Sequence, residues 1–224
     1  MGPVLCYWDV RSLAQPIRNL LVYKGVQFED KQFKVGPPPE YDKWHKAKST
    51  LGLTFPNLPY YVDDDVRLTQ SLAILRYLGR KHDLVARNDK DTAELDVIEQ
   101  QARDLCLLLA YGVVPDAKLE HGLESYAKKL DQVLGPWNDF LACRKWTLGE
   151  RLTYVDFLLY EGLDWHREFQ PETLQRYPHI VEYMNRFEEL PNIKEYFASD
   201  RYKKWPILSH LRKWGYNKPS EGHE

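Results

Sequence analysis

The chain opens on a dense apolar run, "VLCYWDV" at 4–10, whose β-branched and aromatic residues predict a buried strand. Leu13, Ile17, Leu20 and Leu21 then recur at helical spacing, with Pro16 suited to a first turn and Gly25 to the far cap. "VQFEDKQFKV" reads as a second, more polar strand, and a crossover through a helix makes these two strands parallel. A proline-led stretch, "GPPPEYDKWHKAKSTLG", predicts irregular chain with short helical pieces. "NLPYYV", the aspartates 63–65 and "VRL" predict a hairpin. "TQSLAILRYLGRKHDL" follows as a helix, with Ser71 as its expected cap and Ala73, Ile74, Tyr77 and Leu78 as its apolar side.

After the polar "RKHDLVARNDKD" the pattern changes. "DTAELDVIEQQARDLCLLLAYGVV", "SYAKKLDQVLGPWNDFLA", "TYVDFLLYEGLDWHREF", "YPHIVEYMNRFEEL" and "NIKEYFAS" all carry helical periodicity and no strand pattern. Thr153 and Asp156 stand three apart, the spacing of a capping box. The expected organisation is an α/β domain over 1–84 (βαβ, loop, ββα, with a mixed sheet), a linker at 85–90 and an all-α domain over 91–224.

Composition narrows the chemistry. A net charge of -2 over 224 residues leaves no basic surplus for nucleic acid. No apolar run is long enough for a membrane span. The N-terminal "MGPVLCYWDVR" meets charge within ten residues, so the expected location is cytoplasmic. Three widely spaced cysteines, Cys6, Cys106 and Cys143, read as free thiols in a reducing compartment. No CxxC or HExxH occurs, so neither a metal nor a dithiol redox centre is expected.

Four stretches could carry chemistry. Tyr7 ends the first strand, where its hydroxyl could serve a backbone carbonyl or a ligand. Leu58–Pro59 precedes an aromatic strand. Spacing alone favours an ordinary trans proline; a cis bond would turn the Leu58 backbone outward, with its N–H and C=O ready to pair with an extended peptide. Gln70 and Ser71 stand at a helix N-terminus, which favours a carboxylate, or serve as surface and cap. Trp44 and Lys48, four apart, share a helical face where an indole N–H and an ammonium could hold a second carboxylate.

Together "YWDVR", "AQPIR", "LGLTFPNLPYYVDDDVRLTQSLAILRYLGRKH" and "LTYVDFLLYE" resemble the cytosolic glutathione transferases, the mu class most closely, from about residue 4 to 214. The resemblance implies a thioredoxin-like domain followed by a helical one. It implies conjugation of the glutathione thiolate to small hydrophobic electrophiles, with glutathione as co-substrate and no cofactor. Tyr7 would hydrogen-bond the sulfur; Trp8, Leu13, Trp44, Lys48, Asn57, Leu58, Gln70 and Ser71 would hold the tripeptide, Leu58 pairing with its cysteinyl backbone ahead of a cis proline, and Asp104 would reach it from a partner subunit. A homodimer is implied, with Phe55 as an inserted aromatic key and Arg76, Asp96 and Glu99 at the interface. Ile207, Leu208 and Ser209 would line the acceptor pocket; the tyrosine that the mu class turns to the electrophile has no clean match, an ungapped reading placing Val114 there and Tyr111 one turn earlier, to serve the pocket or to pack in the core. The alternatives on the same fold are a carrier of apolar ligands, or a glutathione-dependent isomerase or peroxidase. The chain departs from the mu pattern at Cys6 and Ser12, where glycines are usual, and in a shorter loop at 41–44 that leaves Lys43 in place of an arginine.

Overall fold

The computed structural model describes residues 2–36, 39–112, 124–212 and 214–218. The chain forms two compact units, one from 1–74 with 198–224 and the other from 75–197.

In the first unit β1 (Val4–Trp8) leads through a 3-10 turn (Ser12–Ala14) into α1 (Gln15–Tyr23), then β2 (Glu29–Phe33), α2 (Glu40–Ala47), β3 (Tyr60–Asp63) and β4 (Val66–Thr69). The sheet order is β2-β1-β3-β4, with β1 parallel to β2 and antiparallel to β3. The apolar run of β1 is explained by its place inside the sheet: Leu5, Cys6 and Tyr7 are all buried. The edge strand β2 is exposed over Glu29–Gln32, and its charges discourage pairing with another chain. Pro16 stands in the first turn of α1, and Gly25 follows it at φ +65, the left-handed position that ends helices. The C-terminal segment straps the turn after β1: the Arg11 N–H donates to Pro206 O and the Ser12 N–H to Ile207 O, each at 3.0 Å.

Helix α3 (Ser71–Lys81) runs from the end of the first unit into the second. It begins at Ser71 itself, so the expected cap is its first residue and Gln70 is the residue ahead, at φ +72. Its buried face is Ile74, Leu75 and Leu78, while Ala73 is exposed and Tyr77 half-buried; the apolar stripe lies one position round from the expected one.

The second unit continues with α4 (Asp89–Leu107), which widens into a π turn over Leu108–Gly112, then α5 (Leu130–Leu141), α6 (Tyr154–Phe169), α7 (Pro171–Gln175), α8 (Pro178–Glu188) and α9 (Ile193–Phe197). Helix α6 is the core, with every residue from Tyr154 to His166 buried. Its capping box forms as the Thr153–Asp156 spacing predicts. The Asp156 carboxylate accepts from the Thr153 and Thr147 N–H groups, both at 2.7 Å, and from the Thr147 hydroxyl at 2.9 Å. Burial pushes the Asp156 carboxyl up to about 6 against these bonds, which favour the anion. Helix α3 meets α6 closely: a Cβ on Gly79 would stand 2.7 Å from the Tyr154 ring.

His166 is fully buried in α6. Its Nδ1 lies 2.6 Å from Gly162 O and its Nε2 2.7 Å from the Tyr126 hydroxyl. A carbonyl only accepts, so Nδ1 carries the proton and Tyr126 donates to Nε2. Burial holds the imidazole neutral, pushing it down to about 4. No helix among the described residues is long and apolar enough to cross a membrane.

Candidate functional site

Tyr7 faces the interior at the C-terminal end of β1, just before the strand gives way to the turn. Its hydroxyl donates to Ser12 Oγ at 3.3 Å. Ser12 opens the 3-10 turn with φ +35, so the turn folds back beside the phenol. Three braces hold this turn. Asp9 Oδ1 accepts the Val35 N–H at 2.7 Å, the buried Arg18 donates to Val10 O and Asp30 Oδ2, both at 3.0 Å, and the Arg11 guanidinium reaches Lys204 O at 3.2 Å. The phenol position is thus set by residues far apart in sequence.

One apolar cluster gathers Tyr7 with Trp8, Leu13, Trp44 and Leu58. Trp44, buried on α2, meets Phe33 edge-on at 5.6 Å and stacks with Tyr60 at 6.2 Å. Lys48 follows one turn later, half-buried, and has no ion-pair partner among the described residues. The 41–44 segment expected as a shortened loop is helical: Lys43 lies on α2 and pairs with Glu40, three residues back, at 2.8 Å.

The Leu58–Pro59 bond is cis, which corrects the trans geometry favoured by spacing. The Leu58 N–H is not idle, however: the exposed Asn57 accepts it through Oδ1 at 2.9 Å. Gln70 and Ser71 are placed at the N-terminus of α3, where unpaired N–H groups and the helix dipole favour an anion.

Cys6 adjoins Tyr7 but turns into the core, fully buried beside Tyr60. Burial pushes its thiol up to about 11, so it stays protonated at neutral pH and offers no competing thiolate. Tyr41 carried no sequence signal, yet its ring stacks on Trp8 at 5.9 Å and 7° and meets the His45 ring at 4.4 Å. Tyr41 lies in the first turn of α2, on a helix whose mostly polar sequence gives no apolar stripe from which the contact with Trp8 could be read.

Ile207 and Leu208 are buried and Ser209 half-buried in the C-terminal strap. Val114 lies outside the described residues; Tyr111 belongs by its backbone to the π turn, with its side chain outside the description. Asp104 and Asp96 are exposed on α4. Glu99 is fully buried and held within the subunit by Arg76 at 2.5 and 2.7 Å and by the Tyr154 hydroxyl at 2.8 Å. Phe55 is 76 % exposed. Between α4 and α5 a cavity of about 370 Å³ is lined by Val97, Ile98, Leu105, Val133, Trp137 and Phe140, with Asp104 beside them. Among the described residues no group of histidines, cysteines and carboxylates could hold a metal.

The family model "Glutathione S-transferase, N-terminal domain" matches residues 3–80, and "Glutathione S-transferase, C-terminal domain" matches 110–200. The chain is 41 % identical to the Bos taurus glutathione S-transferase Mu 1 over 219 residues, covering 96 % of this chain and 99 % of the relative. It is likewise 41 % identical over 216 residues to the Rattus norvegicus glutathione S-transferase Mu 2, with the same coverage. Among solved structures it superposes on the glutathione S-transferase Blo t 8 with a TM-score of 0.84 at 36 % identity, over 95 % of this chain and all of that one. The Pi-class enzyme of Onchocerca volvulus gives a TM-score of 0.82 at 29 % identity with the same coverage. With both domains matched and full-length relatives at this identity, the chain belongs to the glutathione S-transferase family and sides with its mu class.

Proposed function

We propose that this glutathione S-transferase sets the glutathione sulfur against the Tyr7 hydroxyl and adds it, as thiolate, to small hydrophobic electrophiles. The observation that carries the reading is the Tyr7 hydroxyl at the strand end, 3.3 Å from Ser12 Oγ in a braced turn, clustered with Trp8, Leu13, Trp44 and Leu58. A free thiol with a pKa of about 8.5 is only a few per cent ionised at pH 7. A hydrogen bond to an anion is worth about 1.5–3 kcal/mol, and a tenfold change in ionisation about 1.4 kcal/mol. One well-aimed phenol therefore lowers the thiol pKa by about 1–2, enough to make the thiolate a major species at neutral pH. Tyrosine does this without ionising itself, because its own pKa is about 10.

The remaining contacts follow the charges of the tripeptide. Gln70 and Ser71 at the start of α3 receive the γ-glutamyl carboxylate, and Trp44 with Lys48 receives the glycyl carboxylate. The cysteinyl backbone pairs with Leu58 as an added strand, which requires Asn57 to release the Leu58 N–H. Glutathione acts as co-substrate, and the attack of a thiolate on an electrophile calls for no further cofactor. The electrophile sits on the apolar side, near Leu208 and Ser209.

The working unit is a homodimer in a reducing cytoplasm, the compartment that suits the free cysteines. Phe55, a large and well-exposed aromatic, enters the cavity between α4 and α5 of a second copy, and Asp104 of the partner subunit then reaches the glutathione site. Capture on immobilised glutathione followed by a conjugation assay on a generic aryl halide tests the reading. The wild-type protein is expected to bind and turn over. Tyr7→Phe is expected to bind comparably but react about 8- to 25-fold more slowly at pH 7, the ratio of thiolate fractions when the thiol pKa returns to about 8.5 from 1–2 below it. Capture without turnover by the wild type would instead mark a carrier.

A further inference from the structure

Ser12 combines three features. Its side-chain oxygen meets the Tyr7 hydroxyl at 3.3 Å. Its backbone sits at φ +35, a region that disfavours any residue with a Cβ and that glycine enters freely. Its N–H is fixed on Ile207 O at 3.0 Å, so the strained conformation is held from outside the turn. A serine kept where a glycine would sit more easily, with its hydroxyl on the phenol, points to work for that hydroxyl.

We propose that Ser12 is a positioning residue that tunes Tyr7: with glutathione bound, the Ser12 hydroxyl donates to the phenol oxygen while the phenol donates to the sulfur. This inference rests on the role given to Tyr7 above. In the structure the phenol donates to Ser12, at the long end of the hydroxyl–hydroxyl range, so the contact is easily rearranged. A thiolate is the better acceptor and takes over the phenol proton. Ser12 then reverses its part, since a hydroxyl both donates and accepts. A bond donated to the phenol oxygen polarises the phenol O–H and strengthens its bond to the sulfur. The one covalent bond that breaks is the thiol S–H, whose proton leaves to solvent while its electron pair stays on sulfur; Tyr7 and Ser12 keep their protons. Ser12 thereby acts on the sulfur without touching it.

The test is a pH titration of the ultraviolet thiolate band of bound glutathione in wild type, Ser12→Gly, Ser12→Ala and the same changes on Tyr7→Phe. Glycine suits the backbone, so Ser12→Gly is expected to fold at least as stably as wild type, which separates loss of the hydroxyl from loss of structure. Both Ser12 variants are expected to raise the thiol midpoint by about 0.5, roughly a threefold loss of thiolate below it, as a cooperative gain of 10–30 % on one bond implies. KM for glutathione should change little. On Tyr7→Phe the Ser12 changes should have no further effect. An unchanged midpoint in Ser12→Gly and Ser12→Ala, with a raised one in Tyr7→Phe, overturns the role of Ser12 alone. An equal rise on both backgrounds overturns it too, because Ser12 would then act on the sulfur directly. An unchanged midpoint in Tyr7→Phe overturns the Tyr7 reading and this inference with it.

Discussion

Neighbouring side chains on β1 show how far environment decides chemistry. Cys6 and Tyr7 follow one another, but Cys6 turns into the core with its thiol pushed up to about 11, while the Tyr7 hydroxyl ends beside the Ser12 turn. The more acidic residue type is thus the one kept inert. His166 carries the same lesson into a measurable pH effect. Its pKa falls from about 6.5 in the unfolded chain to about 4 in the fold. Below pH 6.5 the unfolded chain takes up a proton that the folded one refuses. Its contribution to stability is therefore complete above that pH and is lost as pH falls towards 4. The advantage of wild type over His166→Gln in urea unfolding is expected to shrink by about 2 kcal/mol between pH 7 and pH 5. Asp156, with its carboxyl raised to about 6, titrates in the opposite sense, but it is present in both proteins and cancels. A pH-independent advantage would contradict the neutral, buried imidazole.

At the scale of elements, α6 is held by its cap and by its closeness to α3. The Tyr154 ring leaves no room for a side chain at Gly79, where a Cβ would stand at 2.7 Å. Gly79→Ala gains helix propensity yet is expected to cost about 1–3 kcal/mol through overpacking. Thermal unfolding would then fall by several degrees for a chain of this size; an unchanged or higher Tm would contradict the close approach. The start of α6 was legible because Thr153 and Asp156 form a local motif, and β1 was legible because a buried strand is a continuous apolar run. The buried face of α3 was read one position off, since "SLAIL" offers adjacent apolar stripes and only the packing of Leu75 chooses between them. The cis Leu58–Pro59 bond ran against spacing and was signalled by family resemblance alone. The strap of 206–207 on Arg11 and Ser12 was invisible, because nothing local links residues nearly two hundred positions apart. So the residues proposed to hold the tripeptide stand out as short motifs, whereas Tyr41 on Trp8 and the Asn57 bond to Leu58 show only in the folded chain.

For the molecule as a whole, a large exposed aromatic and an apolar cavity on the same chain argue for self-association. Phe55→Ser removes the proposed key without touching the Tyr7 turn, and sedimentation is expected to show a dimer-to-monomer shift at protein concentrations where wild type stays dimeric. A variant as dimeric as wild type would place the interface elsewhere. Activity is expected to fall with the dimer, because the proposed reach of Asp104 into a second site is then lost. The two-domain architecture and family membership leave open how the sulfur is activated, a role proposed above for the Tyr7 oxygen. Its direct test is the thiol pKa of glutathione bound to wild type and to Tyr7→Phe, read from the thiolate band against pH. The account predicts a midpoint about 1–2 below that of free glutathione in wild type and one returned to nearly the free value in Tyr7→Phe. Equal midpoints in the two proteins would contradict it.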